Sequence, residues 1–311
     1  MKIKAADAGQ RLDVFLTKKL KLSRAQIQKL IKTGGVLLDG KTVTPHRALK
    51  ERETVEITTT VKTTPVGTTL RLSLQTPSPT LPKFKLNVIA KTADYLVINK
   101  PAGIPVHPDS RYTADTLIDV VIKQYPEIKT VGEEKNRAGI IHRIDKDVSG
   151  LLVIPRNQTM FDHLKEQFKT RSVRKEYLAL VRGRLTPETG TIDFRIGRGL
   201  QGRMAGRPRN QAGKFALTEY QVLQYFINYS LVKAIIKTGR THQIRVHCHS
   251  LGHPIVGDTL YTVKKQKPDK LPLNRIFLHS QTLGFTDLAG VRQEFHSDLP
   301  EELKNYLKKI K

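Results

Sequence analysis

Two aspartates in segment 142–150, HRIDKDVSG, are the residues of this chain best suited to catalysis. Asp145 and Asp147 stand among basic side chains, directly before the apolar run 151–154, LLVI. Such a run predicts a buried strand, so the charged residues would lie at its entrance. A partly buried carboxylate beside an arginine stays ionised and oriented, as a nucleophile or a general base must be.

The spacing of this segment leaves the choice of carboxylate open. In an extended backbone, Arg143, Asp145 and Asp147 share one side, and His142 and Lys146 take the other. Two neighbouring carboxylates can also have separated pKa values, as an acid and a base would need. An ion-pair network at the strand entrance is an equally good interpretation, and spacing does not choose between Asp145 and Asp147.

The composition predicts a polyanionic partner. The chain has 311 residues, with 54 lysines and arginines against 28 aspartates and glutamates, a formal net charge of +26. Solubility needs a net charge of only about 2–8 on a small domain. Nucleic acid is therefore the expected partner. A membrane surface is less favoured, because no long stretch combines an apolar face with a basic one.

The chain shows no sign of export. Its first residues lack the apolar core of a signal peptide, and no run approaches the ~18 apolar residues of a membrane-spanning helix. We expect a cytoplasmic protein. The single cysteine, Cys248, agrees with a reducing compartment, and we interpret it as a packed thiol because no catalytic cysteine signature surrounds it.

The length predicts two domains. Residues 1–60 contain two amphipathic helices and a hairpin whose Asp39-Gly40 turn is typical of type I′. Residues 61–84, rich in Thr, Pro and Ser, are predicted to be a mobile linker. Residues 85–311 form the larger domain, for which we predict an α+β fold with a mainly antiparallel sheet, because helices do not alternate regularly with strands. Its predicted strands are 95–100, 150–154, 177–181, 220–223 and 230–237, and its predicted helices are 114–124, 160–169 and 301–310.

A glycine- and arginine-rich segment, 197–214, is predicted to be a loop. Loops longer than about 12–15 residues in a compact domain are commonly functional or disordered. We expect this one to become ordered on RNA. Its basic residues are Arg198, Arg203, Arg207, Arg209 and Lys214.

The N-terminal domain resembles an S4 domain, a small RNA-binding module. The resemblance rests on segments 11–16 (RLDVFL), 23–31 (SRAQIQKLI) and 36–41 (VLLDGK). A charged helix face is ordinarily only solvated, but the resemblance implies that the basic face of the second helix binds RNA phosphates. The residues concerned are Arg24, Lys29 and Lys32.

The larger domain resembles the RluA family of RNA pseudouridine synthases. Segment 142–153, HRIDKDVSGLLV, is similar nearly residue for residue to the family signature, with Ile144 and Val148 in place of the usual Leu and Thr. Five further blocks that resemble the family stand in the right order along the chain. They cover residues 98–107, 174–181, 239–247, 252–258 and 278–280.

The resemblance implies isomerisation of a uridine within RNA, without cofactor or metal. The N1–C1′ bond breaks, the uracil turns over, and C5 bonds to C1′. The essential carboxylate falls on Asp145, and Asp147 and His142 become supporting residues. Tyr177 would stack on the target uracil, with a part in removing the C5 proton left open, and Arg245 would pair with Asp145 and keep it ionised.

The reaction requires the uridine to leave its helix. The resemblance implies that Arg143 fills the space left by the flipped base, as a planar cation can stack and donate hydrogen bonds. The alternative is that Arg143 is an ion-pair partner of a neighbouring aspartate.

The histidines near residue 245 do not predict a metal site. Their spacing fits neither an HExxH pattern nor paired CxxC motifs. Alternation in 241–247, THQIRVH, instead predicts a strand that presents Arg245 to the pocket. The residues considered as ligands are His242, His247, Cys248, His249 and His253.

We therefore predict a monomeric pseudouridine synthase that acts on structured RNA, with large-subunit ribosomal RNA as the first choice and tRNA as the alternative. The rival from another class is a non-catalytic RNA-binding factor for ribosome assembly. Retention of Asp145, Tyr177 and Arg245 together argues against this rival, since a degenerate enzyme would lose at least one of them.

Overall fold

A computed structural model of the protein describes residues 2–3, 5–20, 24–32, 34–57, 84–108, 116–134, 137–199, 203–263 and 271–310, apart from the side chains of Ala6, Ala25 and Lys29. The chain forms two compact units, Met1–Pro77 and Ser78–Lys311. Nearly all of the predicted linker lies outside the described residues. In the described part, no helix has the length and apolar character needed to cross a membrane.

The first unit packs two helices on a small sheet. A 3-10 turn (Ala5–Asp7) precedes α1 (Leu12–Leu20) and α2 (Arg24–Lys32), and strands β1 (Val36–Leu38), β2 (Lys41–Thr42) and β3 (Val55–Ile57) form an antiparallel sheet in the order β2-β1-β3. The predicted helices and hairpin are confirmed. Asp39 and Gly40 have φ values of 49° and 73°, as a type I′ turn requires.

The core of this unit comes from the apolar stripes of its helices. Leu12, Leu16, Ile27 and Leu30 are fully buried at helical spacing, and Val36 of β1 closes the core below them.

One large sheet organises the second unit. Its strands are β4 (Val88–Lys91), β5 (Tyr95–Lys100), β6 (Ser149–Pro155), β7 (Arg174–Arg182), β8 (Thr189–Ile192), β11 (Thr218–Tyr225), β12 (Tyr229–Ile236), β13 (Leu278–Thr286) and β14 (Arg292–His296). They lie in the order β4-β5-β6-β13-β7-β12-β11-β8, with β14 paired to β13. Every neighbouring pair is antiparallel except β6 with β13, which confirms the predicted mainly antiparallel α+β fold.

Helices cover the sheet. They are α3 (Leu117–Gln124), α4 (Gln158–Thr170), α5 (Gln243–Ser250) and α6 (Glu301–Lys309), with a 3-10 turn at Pro126–Thr130. Asn157 caps α4 by accepting the backbone N–H of Met160. Helices α3, α4 and α6 confirm three predictions to within a few residues.

Helix α5 stands where the alternation of 241–247 predicted a strand, and that prediction is wrong. Gln243 to Cys248 are all buried. The alternation of apolar and polar residues distinguishes a strand from a helix only when one face of the element is exposed. A helix that is buried on all sides does not show the apolar stripe by which a helix is recognised.

The prediction of an irregular loop over 197–214 is also wrong in part. Strands β9 (Arg195–Arg198) and β10 (Met204–Arg207) form a hairpin there. Buried Ile196 belongs to one apolar cluster with Val246 of α5 and with Tyr261. This contact with residues distant in the sequence stabilises a segment whose own composition predicts a loop.

Gly150 allows β6 to approach β13. Its φ is 117°, and a Cβ there would lie 2.7 Å from the carbonyl carbon of Ser280 and nearer still to two other backbone atoms. Because these contacts are backbone, they cannot move aside. Only glycine lets the strand that follows Asp145 pair with β13.

We expect Gly150→Ala to lower the free energy of unfolding by about 3 kcal/mol, from overpacking together with a strained φ. Gly290→Ala is the matched control, because Gly290 also has a positive φ, 79°, but no atom within 4 Å of a built Cβ. Its cost should be about 1 kcal/mol, from the backbone alone. Equal losses in urea unfolding would contradict the steric explanation.

His279 ties β13 to the start of β6 as a neutral imidazole. It is fully buried, and its Nδ1 lies 2.9 Å from Ser149 Oγ while its Nε2 lies 3.1 Å from the carbonyl oxygen of Ser297. A carbonyl only accepts, so Nε2 carries the proton and Nδ1 accepts from Ser149. Burial lowers the pKa of His279 to about 4.

This pKa predicts a loss of stability in acid. Between about pH 6.5 and 4 the unfolded chain binds a proton at residue 279 and the folded chain does not, so the free energy of unfolding falls as pH falls. The contribution is at most about 3 kcal/mol. We expect His279→Gln, which keeps a donor and an acceptor, to show a shallower decline in urea unfolding from pH 7 to 4. Parallel curves for the two proteins would sink this assignment.

Candidate active site

A pocket forms where segments 143–148 and 239–245 meet the sheet, and it is lined by Asp145, Tyr177 and Arg245. These are the three residues predicted to be catalytic. Arg143 lies at the same pocket. Apolar side chains complete the wall: Ile144, Val148, Ile236 and Leu278. A flat base could lie between such walls while one carboxylate reaches its edge.

Asp145 is held by Arg245. Oδ2 of Asp145 lies 3.3 Å from Nη1 of Arg245, and 19% of the Asp145 side chain is exposed. The predicted pairing of Arg245 with Asp145 therefore agrees with the geometry. Arg245 lies on helix α5, however, and not on the predicted strand. Because one carboxylate oxygen is engaged and part of the group is open, Asp145 is oriented and still able to react.

Arg245 is itself fixed by a second carboxylate, that of Asp258. Nε and Nη2 of Arg245 donate to Oδ2 and Oδ1 of Asp258 at 2.7 and 2.9 Å, and the Asp258 side chain is fully buried. Burial alone would lower the pKa of Arg245, but the bonds to Asp258 and the charge of Asp145 outweigh it and raise that pKa. The guanidinium is charged at every relevant pH.

The two aspartates of the motif are separated by a turn. The N–H of Val148 donates to the carbonyl of Asp145 at 3.1 Å, and Asp147 lines a different pocket, with Arg275 and Glu302. The expectation that Arg143, Asp145 and Asp147 share one side is therefore wrong, because the segment is extended only up to Asp145. Of the two carboxylates, Asp145 lines the pocket with Tyr177 and Arg245, and Asp147 does not.

The side chain of Lys100 stabilises this turn through hydrogen bonds to backbone carbonyls. It is fully buried, and its Nζ donates to the carbonyls of Pro101, Ile104 and Lys146 at 2.8, 2.8 and 2.9 Å. Burial lowers the pKa of Lys100 to about 7, while the three acceptors match the three hydrogens of the ammonium form. The Lys146 carbonyl, between the two aspartates, is thereby fixed.

Tyr177 forms an aromatic wall of the pocket. It lies on β7, is buried, and hydrogen bonds with the side chain of Ser280. Burial raises the pKa of the phenol to about 12. At neutral pH Tyr177 is therefore an uncharged ring with a hydroxyl.

Arg143 is exposed and contacts a histidine. Its Nη1 lies 2.8 Å from Nε2 of His107, whose Nδ1 lies 2.8 Å from the carbonyl of Pro108. Among the described residues no carboxylate lies within ion-pair distance of Arg143. The ion-pair alternative for this residue thus gains no support.

His142 supports β6 and is not at the pocket of Asp145. Its Nε2 accepts the N–H of Val153 at 3.0 Å, and its ring stacks on Phe168 with centroids 4.7 Å apart. Burial and, to a smaller degree, the charge of Lys175 lower its pKa to about 3, so the imidazole is neutral.

The other histidines are engaged separately. His247 bonds with Thr218 and Phe194, His249 with Thr262, and His253 with Arg182. No group of three or more potential ligands suited to a metal ion occurs within the described ranges. Burial raises the pKa of the Cys248 thiol to about 12, which disfavours the reactive thiolate.

Three contributors to this site were not assigned from the sequence: Asp258, Lys100 and His242. His242 has a φ of 57° before α5, and its Nε2 lies 3.9 Å from Oδ2 of Asp145. The sequence carried no signal for Asp258, because the need of Arg245 for a second anion follows from its burial, which only the fold shows.

In the first unit, a buried aspartate orients Arg24, one of the predicted RNA-binding residues. Asp13 is fully buried and accepts from Arg11, from Arg24 at 3.1 Å and from Gln28 at 2.8 Å. Burial raises the pKa of Asp13, but the hydrogen bonds from these residues lower it further, to a net value well below normal. Arg24 stays half exposed in a fixed orientation. Lys32 is exposed at the end of α2, and the side chain of Lys29 lies outside the description.

The other predicted RNA contacts lie on the β9–β10 hairpin. Arg207 donates to the carbonyl of Arg198 at 2.6 Å, and Arg203 donates to that of Leu260 at 3.3 Å. Both are oriented by backbone acceptors, so their charge is not neutralised by these bonds.

Comparison with known proteins gives consistent matches. A family model described as RNA pseudouridylate synthase matches residues 94–250, and an S4 domain model matches residues 10–55. An uncharacterized RNA pseudouridine synthase of Chloroflexus aurantiacus is 40% identical over 309 residues, covering 97% of this chain and 90% of the relative. A ribosomal large subunit pseudouridine synthase D of Xanthomonas campestris is 34% identical over 316 residues, covering 98% and 90%.

A solved structure is also similar. Human RNA pseudouridylate synthase domain containing 1 is 27% identical, with a TM-score of 0.57, and the match covers 73% of this chain and 94% of that one.

We expect Asp258→Asn to lower the free energy of unfolding by about 3–5 kcal/mol, because it leaves the buried guanidinium of Arg245 without its bidentate partner. Urea unfolding at neutral pH measures the change. Asp298→Asn is the control: its side chain is 78% exposed and pairs with Lys304, so its effect should stay within about 0.5 kcal/mol. A cost for Asp258→Asn no larger than the control would show that Arg245 does not depend on this pair.

Proposed function

The chain belongs to the RluA family of RNA pseudouridine synthases and carries an S4 domain, and we propose that it isomerises specific uridines of large-subunit ribosomal RNA, with Asp145 as the essential carboxylate. The observation that carries the assignment of Asp145 is its place in the pocket, where Arg245 holds its carboxylate, while Asp147 lies in another pocket.

Asp145 suits the breaking of the N1–C1′ bond. That step leaves negative charge on the uracil and electron deficiency at C1′, which a fixed carboxylate can stabilise or attack. Arg245 keeps the carboxylate aimed during the step. After the uracil turns over, C5 bonds to C1′, the proton on C5 is released and N1 gains a proton, so substrate and product are isomers.

The walls of the pocket suit a detached base that must turn without escaping. Tyr177 offers a ring for stacking, and apolar Ile236 and Leu278 line the same space. Since its phenol is neutral at working pH, we assign Tyr177 to stacking and hydrogen bonding in the resting enzyme.

Arg143 is suited to occupy the gap in the RNA helix. It is exposed at the mouth of the pocket, and its described partner is His107 instead of an acid, so the cation remains available to RNA.

RNA capture would involve both units. The S4 unit presents Arg24 and Lys32, and the hairpin of the larger unit presents Arg203 and Arg207. Contacts with phosphates are independent of base sequence and weaken as salt rises. The choice of ribosomal RNA rests on two relatives named ribosomal large subunit pseudouridine synthase D, and tRNA is the alternative substrate.

We expect Asp145→Asn to lower pseudouridine formation by at least about 10³-fold while RNA affinity stays within about twofold, because only a reacting group is changed. Ribosomal and transfer RNA from cells that lack the protein, incubated with it and then mapped for pseudouridine, give the measurement and identify the site. Asp147→Asn is the matched control and should keep most of the activity, since Asp147 does not line the pocket of Asp145.

Each possible outcome has a distinct meaning. Modification of tRNA alone would move the substrate to the alternative class. Tight RNA binding with no product from the wild-type protein on either RNA would favour a non-catalytic assembly factor. Equal loss in the two aspartate variants would contradict the assignment to Asp145.

A further inference from the structure

A second pocket adjoins the one that holds Asp145, and its charge is one-sided. We call it the basic pocket; its cationic lining is Arg143, Lys169, Arg171, Lys175, Lys237 and Arg240. No acidic residue is among the described residues that line it. The two pockets adjoin each other at five shared residues: Arg143, Tyr177, Ile236, Gly239 and Arg240.

Lys175 differs from the other cations of the basic pocket. Its residue is only 7% exposed, and within the described ranges its ammonium has neither a carboxylate partner nor a hydrogen bond. Its near neighbour is the ring of Phe168, 5.3 Å from Nζ. By contrast, Lys169 pairs with Glu166 at 3.0 Å and Lys237 with Glu219 at 3.6 Å.

Burial of an unpaired ammonium is costly, and proteins ordinarily pair such a group. Burial lowers the pKa of Lys175 to about 8, which reflects this lack of an anion. Nζ is not sealed off, since Lys175 lines the basic pocket. An anion that enters the basic pocket would supply the missing partner.

The position of Lys175 indicates which anion. Lys175 and Tyr177 are two residues apart on β7, so both side chains project from the same face of the sheet. Because Tyr177 lines both pockets, a nucleotide whose base stacks on it can extend its ribose and phosphates towards the basic pocket. A phosphodiester is singly charged and accepts several hydrogen bonds, which matches a group of cations without acids.

We propose that Lys175 binds a backbone phosphate next to the target uridine, and that the basic pocket is the subsite for that phosphate. This inference rests on the proposed function, because it takes the RNA substrate as given. Lys175 acts in binding and orientation and does not touch the reacting atoms. Arg143 and Arg240, which line both pockets, continue the cationic path from the phosphate to the base.

The test compares the full-length wild-type protein with Lys175→Met, Lys175→Arg and Lys233→Met. Methionine keeps the apolar length of the side chain and removes the charge. Lys233 is the matched control: it lies on β12 opposite Leu178, on the face of the sheet away from Tyr177, so Lys233→Met removes one lysine charge from the same sheet. Thermal melting checks that all four proteins are folded.

We expect Lys175→Met to raise KM and the RNA dissociation constant by about tenfold with kcat changed less than about twofold, as loss of a charge-assisted contact implies. The magnitude of the slope of log affinity against log salt concentration should fall by about 1, which corresponds to the loss of one phosphate contact. Lys175→Arg should restore most of the affinity, and Lys233→Met should match the wild-type protein.

RNAs with a single uncharged methylphosphonate in place of one phosphodiester near the target uridine locate the contact. One such linkage should weaken binding of the wild-type protein about tenfold and have no effect on Lys175→Met. If every linkage weakens the two proteins equally, or if Lys175→Met has the affinity and salt slope of Lys233→Met, the proposal is wrong. The binding measurements need no turnover. A wild-type protein that binds RNA but forms no pseudouridine would therefore overturn the proposed function, while the comparison of RNA affinities would still decide whether Lys175 binds a phosphate.

Discussion

The arrangement of the active site depends on one buried ion pair, that between Arg245 and Asp258. Its two short hydrogen bonds leave one guanidinium nitrogen, Nη1, to reach Asp145. Breaking a buried pair costs several kcal/mol, because it leaves an uncompensated charge out of water. The pair also joins helix α5 to the segment after it, where Asp258 accepts the backbone N–H groups of Leu260 and Tyr261. The orientation of the Asp145 carboxylate therefore depends in part on distant parts of the chain, through Arg245 and Asp258.

The first unit has a similar arrangement of a buried charge that orients opposite charges, but the signs of the charges are reversed. There a buried aspartate, Asp13, gathers Arg11 and Arg24 and leaves much of their surface exposed. In the active site a buried arginine presents a carboxylate, and in the S4 unit a buried carboxylate presents arginines. Both arrangements hold a charged group in a fixed direction before the RNA arrives, which lowers the entropy lost on binding. A net charge of +26 attracts RNA without regard to position, whereas a charged group held in one orientation favours contact at one place.

Sequence reasoning correctly predicted the elements in which apolar, buried positions stand out from polar, exposed ones. It was wrong where the sequence shows no such difference. The stripes of α1 and α2 and the apolar run of β6 are visible because one face or one end differs from the rest. Residues 243–248 are all buried, so the alternation that was read in segment 241–247 carried no information about the backbone. The β9–β10 hairpin owes its order to contacts of Ile196 with Val246 and Tyr261, which local composition cannot show. Asp258 was missed for a related reason, since the charge balance of a buried arginine is a property of the fold.

The separation of Asp145 from Asp147 depends on a residue that does not line the pocket of Asp145, Lys100. The carbonyl of Lys146 accepts both Nζ of Lys100 and the N–H of Gly103, each at 2.9 Å. With that carbonyl fixed between the two aspartates, the backbone cannot continue as an extended strand, and the turn that closes at Val148 directs the aspartates into different pockets. A segment that stayed extended would place both carboxylates on one side, where their repulsion would raise the pKa of one of them. Lys100 thus helps to keep a single carboxylate of the motif in the pocket with Tyr177 and Arg245, and it does so through hydrogen bonds from a fully buried lysine to backbone carbonyls.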